Sequence, residues 1–134
     1  MPEQLILDND YATLRYLPEE KIIYHTFKRP IGGDPFREVL MNGTQLLTEH
    51  QAKKWLSDDR KNSAFDEDDT YWINNSWLPG AIQAGWKFWA LVVPEELAGR
   101  LSMDQFVEPI FKLGVWVMVF TELDEAKEWL MSVG

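Results

Sequence analysis

Residues 72–94 read WINNSWLPGAIQAGWKFWALVVP, and no other stretch constrains the fold as strongly. Within it a helical segment, a glycine stop and a buried strand follow one another. Four of the seven tryptophans lie there. Trp72, Ile73, Trp77, Ile82 and Ala84 fall at spacings near four and five, a broken helical period rather than an alternation. Pro79 has no N–H and restricts Leu78, so the helix is expected to kink or restart there. Gly85 suits the left-handed position that ends helices. Residues 86–93 are apolar except for Lys87, the pattern of a strand covered on both faces, and Pro94 closes it.

The flanking sequence supplies the remaining elements. Residues 4–8 are a short apolar run ended by the turn cluster Asp8-Asn9-Asp10. Residues 11–17 and 21–28 are rich in aromatic and β-branched side chains, as strands are. Pro18 stands at the second position of the turn between them, so they are expected to pair as a hairpin. Asp34-Pro35 reads as a helix start, a capping carboxylate followed by a proline that needs no N–H. Phe36, Val39, Leu40, Leu46 and Leu47 give that helix its stripe, and Gly43 weakens it by about 1 kcal/mol relative to Ala.

A short strand centred on Trp55 and Leu56 comes next, then a charged loop over residues 58–69. After Pro94 a connection is expected as far as Leu101. Ser102-Met103-Asp104-Gln105 has the form of a capping box opening a helix to about Lys112. Gly114 stops it, and residues 115–120 form a second apolar strand, with Trp116 expected at a core or half-core position. Acids in residues 121–124 open a last helix whose buried face is Leu123, Ala126, Trp129 and Leu130. The expected fold is α/β: a mixed sheet of five or six strands, an N-terminal antiparallel hairpin, then alternating strands and about four helices in one domain over residues 1–134.

Composition narrows the function classes. The net charge of −9 repels a polyanion, so nucleic acid is not an expected partner. Absence of cysteine removes disulfides, thiolate metal sites and cysteine nucleophiles, and fits a reducing compartment. No run approaches the roughly 18 apolar residues of a membrane span. The first ten residues lack the basic and apolar regions of a signal peptide, so a cytoplasmic location is expected.

Several residues carry a resemblance. They are Asp58-x-Arg60 after the Trp55-Leu56-Ser57 strand, Trp77-Leu78-Pro79, and Gly85-x-x-x-x-Ala90-x-Val92-x-Pro94. In this order, behind an N-terminal hairpin, the chain resembles the STAS domain of sulfate transporters and anti-sigma-factor antagonists. More closely, it looks like the small stand-alone STAS-like proteins of bacteria. That resemblance implies a regulatory or binding domain without chemistry of its own. It does not carry over the phosphorylation switch. The antagonists place their serine in an Asp-Ser-Ser/Thr-Gly setting, whereas this loop reads Ser57-Asp58-Asp59-Arg60-Lys61-Asn62-Ser63.

The candidate chemistry has two readings at each point. In an α/β sheet the loop from Asp58 to Asn62 lies at a carboxyl end, where ligands bind. Arg60 and Lys61 there either hold an anion or form a solvated loop in which Asp58 pairs with Arg60. The acids Asp66, Glu67, Asp68 and Asp69 are either oxygen ligands for Ca²⁺ or Mg²⁺, without EF-hand spacing, or acids at a helix start. His25 and His50 have no companions at metal-ligand spacing. No serine lies in a G-x-S-x-G elbow and Gly32-Gly33 is no P-loop. No functional metal and no cofactor are therefore expected.

The site expectation combines Asp58, Arg60, Lys61 and Asn62 with Trp72 and Trp77 on the following helix. This face is expected to bind a protein partner or a small anionic or amphipathic ligand. Tyr71 and Trp72 beside the acidic cap either anchor a partner or pack under the sheet. Two further readings stand beside the binding module: an enzyme on an anionic or carbonyl substrate using Asp58 and Arg60, and a structural homodimer. Arg60→Ala is expected to leave thermal stability nearly intact.

Overall fold

The computed structural model describes residues 3–134. Six strands form one sheet in chain order: β1 (Gln4–Asp8), β2 (Ala12–Leu17), β3 (Ile22–Phe27), β4 (Lys54–Asp58), β5 (Phe88–Val92) and β6 (Trp116–Phe120). β1, β2 and β3 make an antiparallel meander, and β3 to β6 run parallel. The expected mixed sheet with its antiparallel N-terminal hairpin is present. The β2–β3 turn ends on Lys21 in the left-handed region, at φ 56°.

Helices α1 (Gly33–His50), α2 (Glu67–Trp72), α3 (Leu78–Gln83), α4 (Leu97–Lys112) and α5 (Leu123–Ser132) complete the fold. α2 and α3 are joined without a break by a π-helical turn over Ile73–Trp77, so residues 67–83 form one helical segment. Because the parallel strands are added in sequence order, the right-handed crossovers put α1, this segment and α4 on one face. That face holds the larger core, with Leu14, Phe27, Phe36, Leu47, Trp55, Trp77, Trp86, Trp89 and Phe106. Only α5 covers the other face, setting Ala126 and Leu130 against Ile22, Leu56, Ala90 and Val92. Lys54 in β4 donates its ammonium to the carbonyls of Leu130 and Val133, closing the carboxyl end of α5.

The structure departs from the sequence expectations in four places. First, α1 is capped from another element: the Gly33 N–H donates to the Asp69 carboxylate at 3.1–3.2 Å, and Asp34 lies inside the first turn. Second, α4 begins at Leu97, five residues before the apparent capping box. Ser102 is interior to the helix, and its hydroxyl accepts from the Phe65 N–H.

Third, the spacing of five between Trp72 and Trp77 is no break. The Leu78 N–H bonds to the Ile73 carbonyl, five residues back, so one wide turn brings both indoles toward the core. Fourth, β6 is an edge strand, and Trp116 is 63% exposed rather than core or half-core. Among the described residues no helix is long and apolar enough to cross a membrane.

Candidate functional site

β4 delivers four consecutive positions to the carboxyl end of the parallel strands, and alternation sends them to opposite faces. Trp55 and Ser57 face the larger core. Leu56 and Asp58 face α5. Asp58 is 3% exposed and its carboxylate holds Arg60 in a two-pronged pair: Nε to Oδ1 and Nη2 to Oδ2, both 2.9 Å. This bond holds the Arg60 guanidinium pKa above its ordinary value, against a smaller opposing effect of burial. The fork expected to recognise a ligand carboxylate or phosphate is thus already occupied by Asp58.

The other predicted residues separate. Lys61 is exposed at the loop tip. Asn62 is buried, and its Oδ1 accepts from the Ile31 and Ser63 N–H groups at 3.2 and 2.9 Å, tying this loop to the one before α1. Trp77 is core: its indole N–H donates to the Leu40 carbonyl and the Thr44 hydroxyl of α1, and its ring meets Trp55 edge-on at 5.6 Å. Trp72 is half-buried, with the Arg37 guanidinium 5.3 Å above its ring and Phe36 at 6.2 Å. Arg60 and Trp77 therefore do not share a surface. Pro79 follows the π-helical turn directly and supplies no N–H to the continuous helical segment, without breaking it.

A polar cluster that sequence reasoning passed over lies beneath this edge. His25 of β3 is 3% exposed. Trp55 donates its indole N–H to His25 Nδ1 at 2.9 Å, and His25 Nε2 lies 2.8 Å from Asp59 Oδ1. Beside it, Ser57 Oγ accepts from the Trp89 indole N–H at 2.9 Å. The only sequence signal was pattern-breaking: a histidine at an inward position of a strand otherwise apolar on that side. His25, Ser57 and Asp59 line a cavity of about 40 Å³ whose remaining wall is aromatic and aliphatic, including Trp77, Trp86 and Phe106. Ligand pockets run to roughly 300–1,000 Å³, so the cavity is a packing void rather than a substrate site.

An accessible groove lies one turn further along. A groove of about 480 Å³ runs between the loop before α2, the π-helical turn and α4. It is lined by Phe65, Asp66, Glu67, Thr70, Tyr71, Asn74, Asn75 and Gln105. Tyr71 is 69% exposed at its edge. Asp66 caps α2 by accepting from the Asp69 N–H at 2.8 Å, so its charge is fixed at the groove mouth. Asp69 is turned inward to Gly33 and to Arg37, whose Nε lies 3.6 Å away. The four acids therefore do not converge on one point. Among the described residues no three of His, Asp and Glu are grouped as a metal ion requires. No family model, curated protein or solved structure matches the chain.

Proposed function

We propose that this chain is a non-catalytic binding module of STAS-like type that engages a protein partner through the groove beside Tyr71. The observation that carries the reading is that groove: an exposed phenol and polar amides on a π-helical turn, with Asp66 and Glu67 at the rim. π-turns cluster at functional sites, and exposed aromatics anchor interfaces. The charge preference is the reverse of the sequence expectation. Arg60 is engaged by Asp58, and the free charges next to the aromatic are acidic, so the matching partner segment is basic and apolar. Support for the non-catalytic part comes from the side chains with chemical potential. His25, Ser57, Asp58 and Asp59 are all buried and bonded to other side chains of the chain. The STAS-like part rests on the element order, an antiparallel hairpin leading into strand–helix repeats.

The test is retention of one defined partner by the immobilised chain, followed by its loss in Tyr71→Ala and Glu67→Lys and its persistence in Met41→Ala. Met41 is exposed on α1, away from the groove. Raising salt should weaken retention, because rim charges steer association. A purified chain that turns over a substrate, with turnover abolished by His25→Gln or Asp59→Asn, would replace the binding reading with a catalytic one.

A further inference from the structure

β6 reads Trp-Val-Met-Val-Phe and forms one edge of the sheet. An open edge presents unpaired N–H and C=O groups, and proteins ordinarily guard it with lysine, proline or a bulge. The opposite edge, β1, has its pairing interrupted by a register shift between Leu5 and Leu7. β6 has no such device. Trp116, Met118 and Val119 are 63%, 45% and 47% exposed, and Phe111 of α4 packs edge-on against Trp116 at 5.9 Å, extending the apolar surface.

The backbone directions are determined. The Trp116 N–H donates to the Lys87 carbonyl, and the Phe120 carbonyl accepts from the Val93 N–H. Residues 116, 118 and 120 thus turn their backbone groups toward β5, and Val117 and Val119 turn theirs outward. We propose that this edge pairs with the same edge of a second copy of the chain, antiparallel, about a twofold axis at Met118.

Three features favour a copy of this chain in that alignment. Val117 of one copy and Val119 of the other then exchange N–H···O bonds on both sides of the axis, using the groups that face outward. Met118 meets its own copy, and Trp116 meets Phe120, both in the close, non-hydrogen-bonded pairing where cross-strand aromatic contact is strongest. The charges also agree. Each chain carries a net −9, yet residues 111–121 hold a single charged side chain, Lys112. A seam almost free of charge lets two acidic chains approach without setting like charges against each other along the strand. The same patch on both partners closes the assembly at two. This proposal does not rest on the Tyr71 groove, and its variants lie outside it.

The chain has no cysteine, so Met118→Cys introduces its only thiol. Directly opposed non-hydrogen-bonded residues have Cα atoms about 4.5 Å apart, inside the range a disulfide spans. Mild oxidation should convert Met118→Cys to a species of twice the monomer mass and leave Met41→Cys monomeric. Sedimentation equilibrium of the unmodified chain should show a reversible monomer–dimer equilibrium. Val119→Pro, which removes an outward N–H and no bond to β5, should weaken it at least about tenfold with the melting curve retained. Met118→Lys should do the same. A chain that stays monomeric throughout the concentration series overturns the proposal. So does a dimer that neither cross-links through position 118 nor responds to Val119→Pro or Met118→Lys, or a mass that grows without limit.

Discussion

The indole N–H of Trp55 donates to His25 Nδ1 at 2.9 Å, and that bond assigns the state of the buried imidazole. Indole nitrogen is a donor only, so Nδ1 must offer a lone pair. The ring proton then sits on Nε2 and is donated to Asp59 Oδ1 at 2.8 Å. A doubly protonated ring would turn one N–H against another. His25 Nε2 is thus the donor and Asp59 Oδ1 the acceptor in the contact that ties β3 to the loop after β4.

His25→Phe removes both bonds at once. It leaves the Trp55 N–H and the Asp59 side chain buried without that partner, a change expected to cost about 1–3 kcal/mol for each orphaned group in urea unfolding. Asp59→Asn keeps an oxygen to accept from Nε2 and is expected to cost less. A loss below about 1 kcal/mol for His25→Phe would mean that the cluster contributes little to holding β3 and β4 together.

Gly43→Ala sets helix propensity against packing. In the middle of α1 the substitution should gain about 1 kcal/mol. A Cβ there, however, would stand 2.2 Å from Cη2 of Trp55, an indole that is 1% exposed. A rigid ring in a close-packed core has little room to yield, and overpacking costs about 1–3 kcal/mol or more. Net destabilisation is expected. Equal or greater stability on thermal melting would show that the Trp55–Trp77–Trp86 cluster can shift as a unit.

Arg60→Ala is expected to lower stability by about 1–3 kcal/mol, contrary to the expectation from sequence. Its guanidinium is partly exposed, which limits its own contribution. The cost arises at Asp58, which is 3% exposed and would lose both side-chain donors from Arg60. Asp58→Asn in the Arg60→Ala background should recover part of the loss, because a neutral amide tolerates burial better than an uncompensated carboxylate. No recovery in that double variant would place the cost elsewhere in the loop.

These residues mark what the sequence could and could not convey. The element order was legible because each run carries its own period and its own Gly or Pro punctuation. Trp77 and Gly43 were not legible. A spacing of five fits no α-helical face until a π-turn is allowed, and a glycine inside a helix looks like a weakness until its neighbour is known. Ser102-x-x-Gln105 had the form of a cap, yet the helix had already begun at Leu97. His25 and Asp59 lie 34 positions apart and meet only through the pairing of β3 with β4, which sets His25 beside Ser57. The apolar run of β6 resembles that of β5, and only the strand order separates a buried strand from an edge.

Alkaline pH isolates one further buried group. Tyr16 of β2 is 2% exposed and its ring stacks on His50 at 4.1 Å. Burial raises its phenol pKa above the ordinary tyrosine value. The neutral phenol is thus favoured by folding. Its contribution is fully present below the unfolded pKa and is lost as pH rises through the folded one. Lys54 acts in the opposite sense: desolvation lowers its ammonium pKa, so the folded state gains as that proton leaves. Total stability mixes the two, and Tyr16→Phe separates them, because it keeps the ring and removes only the titration. The difference in unfolding free energy between the unmodified chain and Tyr16→Phe should be constant from about pH 7 to 9. Above about pH 10 it should move in favour of Tyr16→Phe. A difference that stays flat through that range would show that the phenol reaches solvent in the folded state.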